Sequence, residues 1–306
     1  MAKRIIFIHG RAQKPSESDL QQLWYDAIKH GLKRDYGGQG LQGFESVAKE
    51  FVYYGDLSNK LLKLPVENAT SRFHALEKLK TYSKGQFTKK KYKELAKAGF
   101  WKEGLADIFS APFGKLGVAT SLISIVAPDM DHYWNGDSYF GSDVREKLTP
   151  VLKSALASED DIMLVGHSLG SMICYDNLWK LSHYSEYRED FGVNKKVNLF
   201  VTLGSPLADE NVKKRLKGAN NGDYTKYPTN INRWYNIAAE DDFISHDSRV
   251  RNDYKQMMKL NLLSEPIQDF KIYNLNVRNG KSNPHASIGY LIHPKFISIL
   301  NDWMNS

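Results

Sequence analysis

The sequence predicts a doubly wound α/β fold built on a mostly parallel sheet of about six strands, and three observations carry that expectation. Short apolar runs rich in β-branched residues recur along the chain, as expected for strands buried on both faces. Helical patterns separate them, the arrangement that parallel crossovers require. The 306 residues, 42% of them hydrophobic, suffice for one large domain with a deep core.

The strands follow in order. RIIFIH (4–9) runs into Gly10, and KEFVYY (49–54) is the second strand. DIMLVG (161–166), VNLFVTLG (197–204), NRWYNIAA (232–239) and FKIYNLNV (270–277) complete the set. A crossover between parallel neighbours needs only a dozen or more residues, yet the second and third strands lie more than 100 residues apart. Residues 60–140 are therefore read as an inserted helical cap, or lid, over one end of the sheet, within a single domain spanning 1–306. The insertion holds a basic stretch, the apolar GVATSLISIVAP (117–128), read as a buried or interfacial helix, and the aromatic HYWNGDSYF (132–140). SDVREKLTPVLKSAL (142–156) is the helix leading back to the third strand, with Ser142 expected at its N-cap.

Charge and cysteine content bound the function classes. The net charge of +7 is concentrated in residues 60–102, where 12 Lys or Arg stand against Glu67, Glu77 and Glu94. That segment suits an anionic surface or partner, although a solvated helical face explains it more simply. No nucleic-acid signature accompanies the lysines, so a nucleic-acid partner is not expected. A single cysteine, Cys174, excludes an internal disulfide framework, and the cytoplasm is the expected compartment. The opening MAKRIIFIHG has too short an apolar run for a secretory leader, and no stretch reaches the length of a membrane span.

The chemistry-bearing motif is Gly166-His167-Ser168-Leu169-Gly170, which matches G-x-S-x-G between an apolar strand and a helical stretch. Such a strand-turn-helix bend lifts the Ser168 hydroxyl above the strand end and turns the Leu169 amide toward a developing negative charge. A serine hydroxyl needs a base and an acid, and in an open parallel sheet these gather beyond the carboxyl ends of strands. The loop after the sixth strand offers His285. AAEDDFISHD (238–247), after the fifth, offers Asp241, Asp242 and Asp247. Asp242 is preferred, because the apolar Phe243 and Ile244 that follow it can anchor the turn in the core. Asp241 is the near competitor. The second oxyanion donor is expected after the first strand, where Gly10 permits close approach and the amide of Arg11 points into the hole. His9 and His167 are read as packing groups, and His30, His74 and His183 as residues of helices, while His132, His246 and His293 are within potential reach of the pocket. No histidine spacing matches a metal motif, so neither metal nor cofactor is expected.

With these residues in view, the chain resembles serine hydrolases of the α/β-hydrolase fold, lipase and esterase branch. The matching segments are IIFIHG (5–10), LVGHSLGS (164–171), FVTLGSPL (200–207), WYNIAAEDDFI (234–244) and NPHASIGYL (283–291), so the resemblance covers residues 1–55 and 140–306. It implies an acyl-transfer triad of Ser168, Asp242 and His285, with Leu169, Arg11 and Gly10 at the oxyanion hole and no cofactor. The family often has proline after the triad acid, where this chain has Phe243. Its full sheet has eight strands, and a chain starting at the strand before the oxyanion loop implies a shortened sheet of about six. The expected activity is hydrolysis of carboxylic esters, soluble or lipid. The alternatives are a thioesterase, a small-ester esterase, or a binding protein that keeps the fold without the reaction.

Overall fold

The structure is a computed structural model that describes residues 2–96, 128–136, 138–192, 194–245 and 249–306. Six parallel strands, β1 (Lys3–Ile8), β2 (Ala48–Val52), β3 (Asp161–His167), β4 (Val197–Leu203), β5 (Ile231–Ala239) and β6 (Gln268–Ile272), form one sheet in the order β2-β1-β3-β4-β5-β6. A two-stranded antiparallel hairpin, β7 (Val277–Arg278) and β8 (Lys281–Ser282), follows the sheet.

Side-chain alternation along the strands explains why helices cover both faces. Ile5, Phe7, Met163, Val165, Leu199 and Val201 point into one apolar cluster, whereas Ile6, Ile8, Ile162, Leu164 and Phe200 point into the other. The first cluster is closed by helix α1 (Glu17–Ser46), whose run is interrupted at Gly37, together with α2 (Thr70–Lys80) and the C-terminal helix (Pro294–Asn305). The second is closed by α3 (Pro128–Trp134), α4 (Phe140–Ala157) and α5 (Leu169–His183). Helix α4 begins two residues ahead of Ser142, whose hydroxyl donates to the Tyr139 carbonyl instead of capping the first turn.

The long β2–β3 connection contributes to both layers. Leu76, Leu79, Tyr82 and Tyr92 join the α1 side, and Met130, Tyr133 and Phe140 the α5 side. Residues 97–127, and with them nearly all of the apolar stretch at 117–128, lie outside the described residues. Among the described residues no helix is long and apolar enough to cross a membrane.

Strand order places the site. The chain moves from β1 to β2 on one side, then returns to lay β3 on the other side of β1. The carboxyl ends of β1 and β3 thus flank the point where the winding reverses, where open α/β sheets form their crevice. Ile8 pairs with Gly166, so the residues just beyond, Gly10 and Ser168, meet across that crevice.

Candidate active site

Ser168 sits between β3 and α5 with φ 54° and ψ −125°, a region that L-residues avoid and that costs on the order of 1–3 kcal/mol. The surroundings hold it there. Its amide donates to the Leu203 carbonyl (3.0 Å), and its carbonyl accepts from the Ser171 amide (2.9 Å) and hydroxyl (2.6 Å). The flanking glycines are required by close approach. A Cβ on Gly166 would lie 2.7 Å from the Ser171 Cα, and one on Gly170 would lie 2.4 Å from the His9 carbonyl oxygen. Leu169 opens α5, so its amide is among those with no intrahelical acceptor, at the positive end of the helix dipole.

Asp242, three residues beyond β5, and His285, in the loop after the β7–β8 hairpin, converge on Ser168. His285 Nε2 lies 2.9 Å from Ser168 Oγ, and its Nδ1 lies 3.0 and 2.9 Å from the two carboxylate oxygens of Asp242. A carboxylate only accepts, so Nδ1 carries the hydrogen and Nε2 is left to accept the serine proton. Asp242 is buried, with Oδ1 accepting from the Ile244 amide (3.0 Å) and Oδ2 from the Tyr290 hydroxyl (2.5 Å). Space for this pair comes from Gly204, whose φ is 52°: a Cβ there would stand 2.9 Å from Asp242 Oδ2 and 3.2 Å from His285 Nδ1. Asp241 turns elsewhere, accepting from the Tyr92 hydroxyl (3.1 Å). Asp247 and His246 lie outside the described residues.

Two buried imidazoles brace the site. His167 Nε2–H donates to the His285 carbonyl (2.9 Å), and burial beside the His285 ring drives its pKa well below the ordinary value. His9 Nε2 accepts from the Tyr54 amide (3.1 Å) while Nδ1–H donates to the Gly10 carbonyl (2.8 Å), which fixes a neutral tautomer. Burial, with Lys14 nearby, lowers its pKa strongly as well. Both histidines are packing groups that also line the cavity. His293 instead caps the C-terminal helix, accepting from the Lys295 amide (3.0 Å), and neither it nor His132 lines the cavity.

The β1 loop meets Ser168 at Gly10, where a Cβ would lie 2.8 Å from the serine Cβ. The Arg11 side chain, at the cavity wall, forms a buried ion pair with Asp129 (2.7 Å), whose other oxygen accepts from the Ala12 amide (2.8 Å). Lys14 Nζ donates to the Arg11 carbonyl and, at 3.3 Å, to that of Ala12. Asn59 closes the loop with two hydrogen bonds to the Lys14 backbone (2.8 and 2.9 Å).

A cavity of about 490 Å³ opens beside Ser168 and His285, bordered by Leu20, Trp24, Leu62 and Leu64. That volume is in the range of small-molecule sites.

Several contributing residues escaped the sequence reading. Tyr290 donates to Asp242 and accepts from the Ala239 amide (3.0 Å), and Asn274 grips both neighbours of His285, donating to the carbonyls of Pro284 (2.8 Å) and Ala286 (3.0 Å). Tyr290 lies in the segment NPHASIGYL beside His285 but carries no pattern that marks its role, and Asn274 lies in none of the matching segments; only three-dimensional proximity reveals what they do. Asp129 likewise pairs with Arg11 across 118 positions.

The fold and site together define an α/β protein with a hydrogen-bonded Ser-His-Asp array at the carboxyl ends of a six-stranded parallel sheet. A scan against family models and a search of the curated proteins return no match to this chain.

Proposed function

We propose that this chain is a serine hydrolase of the α/β-hydrolase fold that cleaves carboxylic esters through an acyl-enzyme on Ser168. The observation that carries the reading is the continuous chain from Ser168 Oγ through His285 to Asp242, at 2.9 Å on the serine side and 2.9–3.0 Å on the carboxylate side. His285 takes the serine proton as Oγ attacks the ester carbonyl, and Asp242 holds the imidazole in the required tautomer and stabilises the imidazolium. The amides of Leu169 and Arg11 receive the oxyanion, each worth about 100- to 1000-fold in rate. His285 then protonates the leaving alcohol and activates the water that releases the acid.

Turnover of 4-nitrophenyl esters of increasing chain length, beside a matched thioester series, tests this. Wild type is expected to show ester hydrolysis that Ser168→Ala lowers by about 10⁴-fold or more. Equal rates in folded wild type and variant would overturn the reading, and a preference for thioesters would move it to a thioesterase.

A further inference from the structure

A second cavity, of about 330 Å³, lies on the α5 side of the sheet and shares no lining residue with the one beside Ser168. Its walls come from three parts of the chain: Tyr175 of α5, the stretch from Glu210 to Tyr227 after β4, and Asp253 with Tyr254 after β5. Those walls are fastened to one another. Gly218, with φ 78°, packs so closely on Trp179 that a Cβ would run into the indole nitrogen, and that indole donates to the Thr225 carbonyl (2.7 Å). The Lys217 amide donates to Asp176 of α5 (2.9 Å), and the Tyr254 hydroxyl to the Leu207 carbonyl (2.9 Å). A site shaped before its ligand arrives loses less entropy on binding it.

Buried hydroxyls and charge both point to an occupant. Tyr175 is 2% exposed and Tyr227 8%, both line the cavity, and neither hydroxyl has a hydrogen-bond partner among the described residues. Buried hydroxyls are normally paired, because leaving one without a partner is costly. Four lysines, Lys213, Lys214, Lys217 and Lys226, line the cavity against two acids, Glu210 and Asp253. Lys213 takes both carboxylates. Among the described residues the other three lysines have no carboxylate partner. Lys217 Nζ meets only the neutral Tyr184 hydroxyl (2.9 Å), and an ammonium with three donors keeps two for a ligand. Asp176 does not line the cavity, and its carboxylate is taken by the Tyr133 hydroxyl (2.7 Å) and the Lys217 amide. Phenol and ammonium donors that converge in this way suit an anionic oxygen best.

We infer that this second cavity binds a small ligand through a carboxylate or phosphate group, which the hydroxyls of Tyr175 and Tyr227 and the ammonium of Lys217 hold, with the apolar part of the ligand against Leu216 and Ala219. Binding here requires nothing of the reaction at Ser168.

Calorimetric titration of benzoate and of phenyl phosphate into the whole chain tests the site, with benzamide as the uncharged match of benzoate. Wild type is expected to bind at least one of the anions, and benzamide about tenfold or more weakly, the range of a charge-assisted hydrogen bond. The tighter anion assigns the group the site takes, and equal affinity means that it reads charge alone. Tyr175→Phe/Tyr227→Phe removes two oxygens and keeps both rings, so a loss of about tenfold in affinity is expected without loss of the fold. Lys217→Gln is expected to cost as much, and it decides in place of the double variant should that fail to fold. Arg278→Gln, in the wall of the Ser168 cavity, is expected to leave the affinity unchanged. Absence of binding to folded wild type, equal binding of benzamide, or an affinity that survives in both the folded double variant and Lys217→Gln overturns the inference. So does an affinity lost in Arg278→Gln, which would move the anion to the cavity beside Ser168.

Discussion

Two loops meet at the point where the sheet reverses its winding, and they are held in place by different physics. The elbow after β3 is fixed by close packing of Gly166 on the opening turn of α5 and of Gly170 on the end of β1, and by hydrogen bonds to Ser171 and to Leu203 of β4, which together hold Ser168 in its strained conformation. The loop after β1 is fixed from afar, by Asp129, Asn59 and Tyr54, all supplied by the connection after β2. Ser168 thus sits on a turn held by backbone contacts to the adjacent strands and helix, whereas its partner loop depends on side chains supplied by the β2–β3 connection. Damage to the first should appear as lost chemistry, and damage to the second as lost stability.

The largest effect is expected on the elbow side. Asp242→Asn keeps the shape of the array but permits the wrong imidazole tautomer, and a fall in kcat of about 10⁴-fold with an unchanged melting temperature is expected in steady-state and thermal measurements. A wild-type rate would break the proposed division of labour. Next comes Asp129→Asn, which leaves Arg11 buried without its counter-charge. A loss of about 3 to 5 kcal/mol is expected in denaturant titration, because breaking one partner of a buried pair strands the other. An unchanged midpoint would mean that Arg11 finds water instead, and that the β1 loop is not held by this pair.

The smallest effect is shared by both loops. His9 and His167 are buried with pKa values pushed well below the ordinary histidine range. Below an unfolded pKa of about 6.5, the unfolded chain therefore binds protons that the folded chain refuses, and stability falls as pH falls. The limit is about 1.4 kcal/mol per pH unit for each imidazole. His9→Gln and His167→Gln should each flatten the slope of unfolding free energy between pH 6.5 and 4.5; a slope identical to wild type in both would place the acid sensitivity elsewhere.

The same contrast separates what the sequence reveals from what it hides. The strands β1 to β5 are legible because their buried residues leave apolar runs, and their bounds fall within two residues of the expected ones, whereas the sixth, expected over 270–277, runs from Gln268 to Ile272, a partly exposed edge strand whose burial gives a weaker signal. The elbow is legible because its residue pattern, Gly166 to Gly170 between a strand and a helix, lies within five residues, although Leu203 and His9, which also pack against it, do not. Asp242 is legible as a residue at the end of a parallel strand and His285 as the histidine of the long loop after the sixth strand, but the β7–β8 hairpin that precedes His285 is not legible. Arg11 reaching Asp129, Tyr290 reaching Asp242 and Asn274 bracing His285 are not legible, since each contact depends on how a loop folds back after the sheet has formed. Lys14, Arg72 and Arg278 are hidden in the same way: as sequence they belong to three separate polar stretches, and only the cavity brings them together.

The measurement that goes most directly to the activated hydroxyl is labelling with a fluorophosphonate probe, mapped by mass spectrometry. Folded wild type is expected to take up one label, on Ser168, with Ser168→Ala unlabelled and Asp242→Asn labelled far more slowly. Folded wild type left unlabelled, or labelled at another serine, would contradict the claim that His285 and Asp242 make this serine a nucleophile.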